Sequence, residues 1–488
     1  MNTTKSYFLQ SFLIVFLAAF IFLGIKDFLP KKIFSDKAGT TKNILIDSMM
    51  IDALKQEKDS SGLAVEGDSL ANQPISFFEN NGVTFPEETF ENYSGYQYMI
   101  PFYENLFQLE TSKTGNVRIA YFGDSMTDGD LIVQDLRSEF QNRFGGEGVG
   151  FVSITSESAA SRGSITHQYS ENWKTQSYLN VKNPIRSFGV NGHVFFAKDS
   201  INKTWIRFKA SNLKNISQLN NPTLFYGSSD NQDGQIDFKI GKDTMHKKLL
   251  ANNLLNTITL APYNLKNLKV DFKNARRIPF YGFNFDDGKG VHIDNFSQRG
   301  NSGMPISKFD IDLMQAFQKK LSYDMIVLHY GTNVLGYGTL DFSWYDKNMT
   351  KTVNRLKLCF PGVPILIIST ADKSTKYNLE MKTDSAVVPL SMSQKKYALK
   401  TQSGFINLYT LMGGDGSMTK WVEADESLAN KDYTHFNFRG SKKISKMLFD
   451  KINLGFDQYK ILRKNRIIDP IGIPITSDSS ANSKNSNE

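Results

Sequence analysis

A chain of 488 residues exceeds what one hydrophobic core normally organises, so two or three structural units are expected. Apolar residues at 40% and charged residues at 22% exclude a disordered, collagen-like or coiled-coil protein, and the single cysteine, Cys359, excludes intrachain disulfides and thiolate metal clusters without excluding export. The net charge of +8 comes from the ends, since residues 1–50 carry six Lys against three Asp and residues 441–466 eight Lys or Arg against two Asp; the nearly neutral remainder argues against a nucleic-acid partner.

The first element is the uncharged run Tyr7–Ile25, YFLQSFLIVFLAAFIFLGI. As a helix it would be roughly 28 Å long, enough for a bilayer core of about 30 Å. Residues 1–34 are therefore expected to form a single membrane anchor. The run is longer than a signal-peptide core, and no small-x-small cleavage site follows Gly24. Lys26, Lys31, Lys32 and Lys37 follow it while only Lys5 precedes it, a bias that by itself would hold the body in the cytoplasm. Residues 35–75, rich in Lys, Asp, Ser and Gly, read as a solvated stalk.

The folded body starts with a buried strand at 117–122 (VRIAYF), followed by a Gly/Asp-rich turn and a helix marked by Ile132, Leu136, Phe140 and Phe144. From 155 to 290 the period changes to two. HVFFA, WIRFK, QIDFKI and LKVDF alternate or run apolar between Asn/Gly/Asp turns, which predicts an antiparallel β-sandwich. Strand and helix then alternate again: a helix with Ile311, Met314 and Phe317, the strand 325–330 (MIVLHY), a helix with Met349, Val353 and Leu356, the strand 364–369 (PILIIS), FINLY at 405–409, and a last helix with Ile444, Met447 and Leu448. Such units dictate a parallel sheet covered by helices, so the expected body is an αβα domain (76–154 and 291–469) interrupted by the β unit, with a disordered tail at 470–488.

In open α/β sheets, ligands collect at the carboxyl ends of the strands. After the first strand comes Gly123-Asp124-Ser125-Met126, which places a serine where strand gives way to helix; taken alone, this is a good helix cap. After MIVLHY comes Gly331-Thr332-Asn333, whose amide can donate to an oxyanion or merely satisfy its own turn. Asp432-Tyr433-Thr434-His435 precedes the last helix and supplies a carboxylate and an imidazole, the base-plus-orienter pair that a weak nucleophile needs. A parallel architecture brings all three to one sheet edge.

At these residues the chain resembles the SGNH (GDSL-type) hydrolase superfamily. YFGDSMTDGD (121–130), QRGNSGM (298–304), YGTNVLG (330–336) and DYTHFNFRG (432–440) resemble its four blocks, with Val334 where many members carry Asp. The resemblance implies Ser125 as nucleophile, His435 as general base and Asp432 as its orienter. It also implies Gly303, Asn333 and the Ser125 N–H as oxyanion donors, with Gly300 as a rival to Gly303. RFGGEGVGFV and LMGGDGSMTKWV (411–422) add a likeness to the peptidoglycan O-acetylesterase subgroup, whose inserted β module is similar to a carbohydrate-binding domain.

The expectation is thus a membrane-anchored serine esterase that removes O-acyl groups, acetyl foremost, from a cell-envelope polysaccharide or peptidoglycan, with its body in the periplasm. No cofactor or metal is expected. The alternatives are an O-acetyltransferase working with a membrane acyltransferase partner, and a non-catalytic glycan-binding protein. His167, His193, His246, His292 and His329 lack ligand spacing, and Cys359 reads as a buried inert thiol. Trp173 and Trp205 are candidates for contact with a sugar in the β unit.

Overall fold

The computed structural model describes residues 12–13, 15–17, 48–59, 73–198, 203–240 and 242–465. The chain divides between Leu45 and Ile46 into two units. In the first, Phe12, Leu13, Val15, Phe16 and Leu17 are helical with exposed side chains, and the rings of Phe12 and Phe16 stack at 6.3 Å. The rest of Tyr7–Ile25 and the tail at 470–488 lie outside the described residues. Among those described, no helix is long and apolar enough to cross a membrane.

The second unit opens its strand series with β1 (Asn116–Gly123). Next come β2 (Gly150–Ser153), β3 (Ile165–Tyr169), β4 (Trp173–Ser177), β5 (His193–Ala197), β6 (Thr204–Ala210) and β7 (Thr223–Gly227). They are followed by β8 (Gln235–Ile240), β9 (Asp243–Lys248), β10 (Leu255–Thr259), β11 (Asn267–Lys273) and β12 (Phe280–Phe285). The series ends with β13 (Gly290–Asn295), β14 (Met325–His329), β15 (Ile365–Ile368), β16 (Ser374–Tyr377), β17 (Glu380–Thr383) and β18 (Gly404–Ile406).

A five-stranded parallel sheet runs in the order β13-β1-β14-β15-β18. Every β1 residue after Asn116 is buried, as a strand covered on both faces requires. Val117, Ile119 and Tyr121 pack with the helices Ile100–Ser112, Val133–Phe144 and Phe438–Lys464. Ala120 and Phe122 share the other core with Ile311–Leu321, Ser343–Cys359 and Val387–Lys400.

Two antiparallel sheets lie between β1 and β13 in the chain. One runs β10-β7-β12-β5-β4 with β2 paired to β12, and the other runs β3-β6-β11-β8-β9. They share one apolar core, seen in the ring pairs Phe208–Phe283 at 5.3 Å and Trp173–Phe272 at 5.0 Å. The opposite face of the first sheet packs Phe151, Phe225 and Tyr281 around Phe317 of the α/β body. Each such buried ring contributes about 1.5–3 kcal/mol.

Arg118 of β1 cements the same junction. Its guanidinium donates to both oxygens of Asp294 at 2.8 and 2.9 Å and to Asp286 at 2.6 Å, and all three side chains are buried or nearly so. Tyr323 donates its hydroxyl to Asp294 at 2.7 Å and the Phe151 N–H donates to it at 2.8 Å, together filling the carboxylate's remaining capacity.

Two expectations change. The stalk is not wholly solvated: Ser48–Asp59 forms a helix, and Met50 is fully buried, with Met49, Ala53 and Leu54 packed around it against the body. The physical reason is an apolar stripe at helical spacing that a polar average hides. The second change is that no helix starts at Ser125. The chain makes a turn there, with Asp128 N–H donating to the Asp124 carbonyl at 3.0 Å. A 3-10 segment (Asp128–Asp130) follows, and the helix begins only at Val133.

Candidate active site

The site is built where β1 and β14 end side by side, Gly123 pairing with His329. Gly123 is required by its surroundings, because a Cβ would lie 2.1 Å from Thr127 Oγ1 and 2.9 Å from Ser297 Oγ. Those two hydroxyls bond to each other at 2.7 Å and tie the serine turn to the segment after β13. Gly331 has φ of 145° and sits so close to Thr370 that a Cβ would approach its side chain to 2.5 Å. Each block therefore needs its glycine for steric reasons.

Ser125 Oγ lies 2.9 Å from His435 Nε2, and His435 Nδ1 lies 2.8 Å from Asp432 Oδ2. The contact with the carboxylate favours a proton on Nδ1, which leaves Nε2 free to accept from the serine hydroxyl. Asp432 is held by more than the ring. Its Oδ1 accepts the N–H groups of Thr434 and His435, both at 3.0 Å, in a turn where Tyr433 adopts φ of 54°. Partial burial alone would raise this carboxyl, but the His435 ring and the two backbone donors outweigh it and hold it at about 2.

Asn333 is 5% exposed and donates one amide hydrogen to the Asn301 carbonyl at 3.2 Å, leaving its second hydrogen for a ligand. Val334 causes no gap in the loop. Its side chain is fully buried and its N–H donates to the Gly331 carbonyl at 2.8 Å.

Gly303 does not stand as an oxyanion donor in this geometry, because its N–H already donates to Asn301 Oδ1 at 2.9 Å. Among the described residues, the Ser125 and Gly300 N–H groups have no protein acceptor. That favours Gly300 over Gly303.

Three features of the site were not legible in the sequence. Asn301 is fully buried, donates to Tyr178 Oη at 2.9 Å and fixes both Gly303 and Asn333, yet in QRGNSG it looks like any turn residue. Asp128 of the nucleophile block accepts from Arg299 at 2.7 Å and from Ser158 at 2.8 Å, joining the first two blocks. Asp124 is 1% exposed, and burial pushes its carboxyl up to about 6 against the Met126, Thr332 and Gly331 N–H groups and the His435 charge.

The other histidines lie outside this arrangement. Burial lowers His329 to about 4, and its Nδ1 meets Tyr121 Oη at 2.8 Å beneath the site. Cys359 is fully buried, and burial raises its thiol to about 11. Trp173 is 7% exposed and packed between Phe272 and Phe280, so it offers no platform for a sugar, whereas Trp205 is partly exposed with Lys269 over its ring.

No protein-family model matches the sequence, and no curated protein matches it. Among solved structures, one described as a peptidoglycan O-acetylesterase superposes with a TM-score of 0.59 at 21% identity, over 75% of this chain and 96% of that one. A family 2 carbohydrate esterase with a carbohydrate-binding domain from Corynascus thermopiles matches at 12% identity over 60% of this chain and 99% of that one, with a TM-score of 0.27. One from Cellvibrio japonicus matches at 10% identity over 60% and 98%, with a TM-score of 0.24. Only the first is close enough to bear on architecture. With the four blocks meeting at one sheet edge, it establishes that this chain has an SGNH hydrolase-like fold.

Proposed function

We propose that the protein is a serine esterase that removes O-acyl groups, acetyl foremost, from a cell-envelope glycan through an acyl-enzyme. The observation that carries the reading is the unbroken relay from Asp432 through His435 to Ser125, at 2.8 and 2.9 Å. In the first step Ser125 Oγ bonds to the ester carbonyl carbon while its proton passes to His435 Nε2. Negative charge on the former carbonyl oxygen is met by the N–H groups of Ser125 and Gly300 and the free amide hydrogen of Asn333. Collapse breaks the bond to the glycan oxygen, which leaves with the His435 proton. Water then gives a proton to His435 and attacks the acyl carbon, and the released Ser125 oxygen takes that proton back.

The substrate class rests on the likeness in fold to a peptidoglycan O-acetylesterase. We read 155–290 as an inserted glycan-binding module, and Tyr7–Ile25 as a membrane anchor that leaves the body on the periplasmic side. Acetate release by the full chain from O-acetylated peptidoglycan, compared with acetylated xylan, tests the substrate. Faster release from xylan would move the substrate away from peptidoglycan, and acetylation of an added glycan in excess of free acetate would make the protein a transferase. A topology reporter fused after residue 470 tests the location, and a cytoplasmic signal would remove envelope glycan from the substrates.

A further inference from the structure

A cavity of about 740 Å³ opens on the β4–β5 ribbon. Five of its lining residues are cationic, namely Lys174, Arg186, Lys198, Arg276 and Arg277, and none is acidic. Among the described residues, none of the five has an ion-pair partner. The rest of the lining is an apolar floor of Ile185, Phe196 and Ala197. Like charges gathered around a concavity repel one another and raise its potential, so the arrangement costs stability unless an anion occupies it.

The two arginines are presented by a backbone that other groups hold in place. Arg277 has φ of 65°, a conformation that costs such a residue about 1 kcal/mol or more, and Asn274 takes φ of 49°, which asparagine tolerates. The loop is fixed from outside: Asn231 Nδ2 donates to the carbonyls of Asn274 and Arg276, each at 2.7 Å, and Ser229 Oγ donates to the Arg277 carbonyl at 3.1 Å. The guanidinium groups thus start from an ordered base, which lowers the entropy lost on binding.

The same ribbon reaches the candidate active site. Strand β4 pairs with β5 so that Trp173 faces Ala197 at the cavity end and Ser177 faces His193 at the other. There Ser177 Oγ donates to Gln298 Oε1 at 3.0 Å, in the segment leading to Gly300. Four residue-to-residue steps of strand separate the two ends, about 13 Å.

We infer that this cavity binds an acidic polysaccharide, its carboxylate or phosphate groups held by the five cations and a sugar face resting on the exposed side chain of Ile185. Guanidinium forks suit both anions. A nucleic acid fits less well: among the described residues the one aromatic side chain lining the cavity, Phe196, is 6% exposed and offers no stacking face, and the rest of the body is nearly neutral. The inference goes beyond the esterase reading and stands or falls separately from it.

The test compares the full chain with two variants, R276Q/R277Q and K174Q/K198Q, by titration calorimetry, with circular dichroism melts to verify folding. The probes are polygalacturonate for carboxylate, poly(ribitol phosphate) for phosphate, neutral dextran, duplex DNA and phosphatidylglycerol vesicles. Tighter binding of one or both acidic polymers than of dextran, weakened about tenfold or more in at least one folded variant, is the expected result, and the stronger arm identifies the anion. Equal affinities in the parent and both variants, or equal binding of dextran, would overturn the proposal. So would a loss confined to duplex DNA or to phosphatidylglycerol vesicles.

Discussion

The amide of Asn333 is anchored on the carbonyl of Asn301, 3.2 Å away, so the group offered to a substrate oxygen is set by a residue of a different block. Asn301 is itself fixed by Tyr178 and by the N–H of Gly303. A pre-oriented donor acts mainly on the charge that develops during reaction. Replacing Asn333 by Ala should lower kcat by about 10²–10³ with little change in KM. Steady-state kinetics on an activated acetyl ester checks this, and a change confined to KM would mean that Asn333 only binds the substrate.

Asp432 should stay ionised far into the acid range. Its folded value of about 2 lies below the ordinary 3.8, so its contribution to stability is present above about pH 4 and is lost as pH falls through about 2. Activity lost between about pH 4 and 7 should therefore not come from this carboxylate. D432N should cost about 10³–10⁴ in kcat, because an amide no longer selects the proton on Nδ1. A pH–rate profile for the parent and variant measures both effects.

Arg118 should govern stability rather than chemistry. Removing it leaves Asp294, which is fully buried, and Asp286 without a counter-charge. Such losses cost about 3–5 kcal/mol. R118A should therefore unfold at much lower denaturant, measured by urea titration, while its folded fraction keeps the parent kcat.

The elements were legible where periodicity was strong. The run VRIAYF and the repeat of Ile311, Met314 and Phe317 are set by burial on two faces and on one face, and the structure places a strand and a helix there. The docked helix Ser48–Asp59 was not legible, because its apolar stripe is short and set among charged residues. The Gly/Asp-rich turn ahead of the helix was legible, but Ser125 looks like a helix cap because Ser and Asp serve caps and turns alike; the helix-type bond from Asp128 N–H to the Asp124 carbonyl is not continued, since a 3-10 segment with Gly129 at φ of 70° intervenes before the helix begins at Val133. At the site, residue types and order pointed to Ser125, Asp432 and His435. The choice between Gly300 and Gly303 depended on which N–H a neighbouring side chain had already engaged, and spacing cannot carry that information.

The nucleophile assignment is tested most directly by trapping the acyl-enzyme. The full chain is incubated with an activated acetyl ester, quenched in acid and analysed by intact and peptide mass spectrometry. A single acetyl group on the peptide containing Ser125, absent from S125A and lost on incubation with water, is the expected result. Acetyl release by S125A at the parent rate, with no adduct on Ser125 in either protein, would contradict the account.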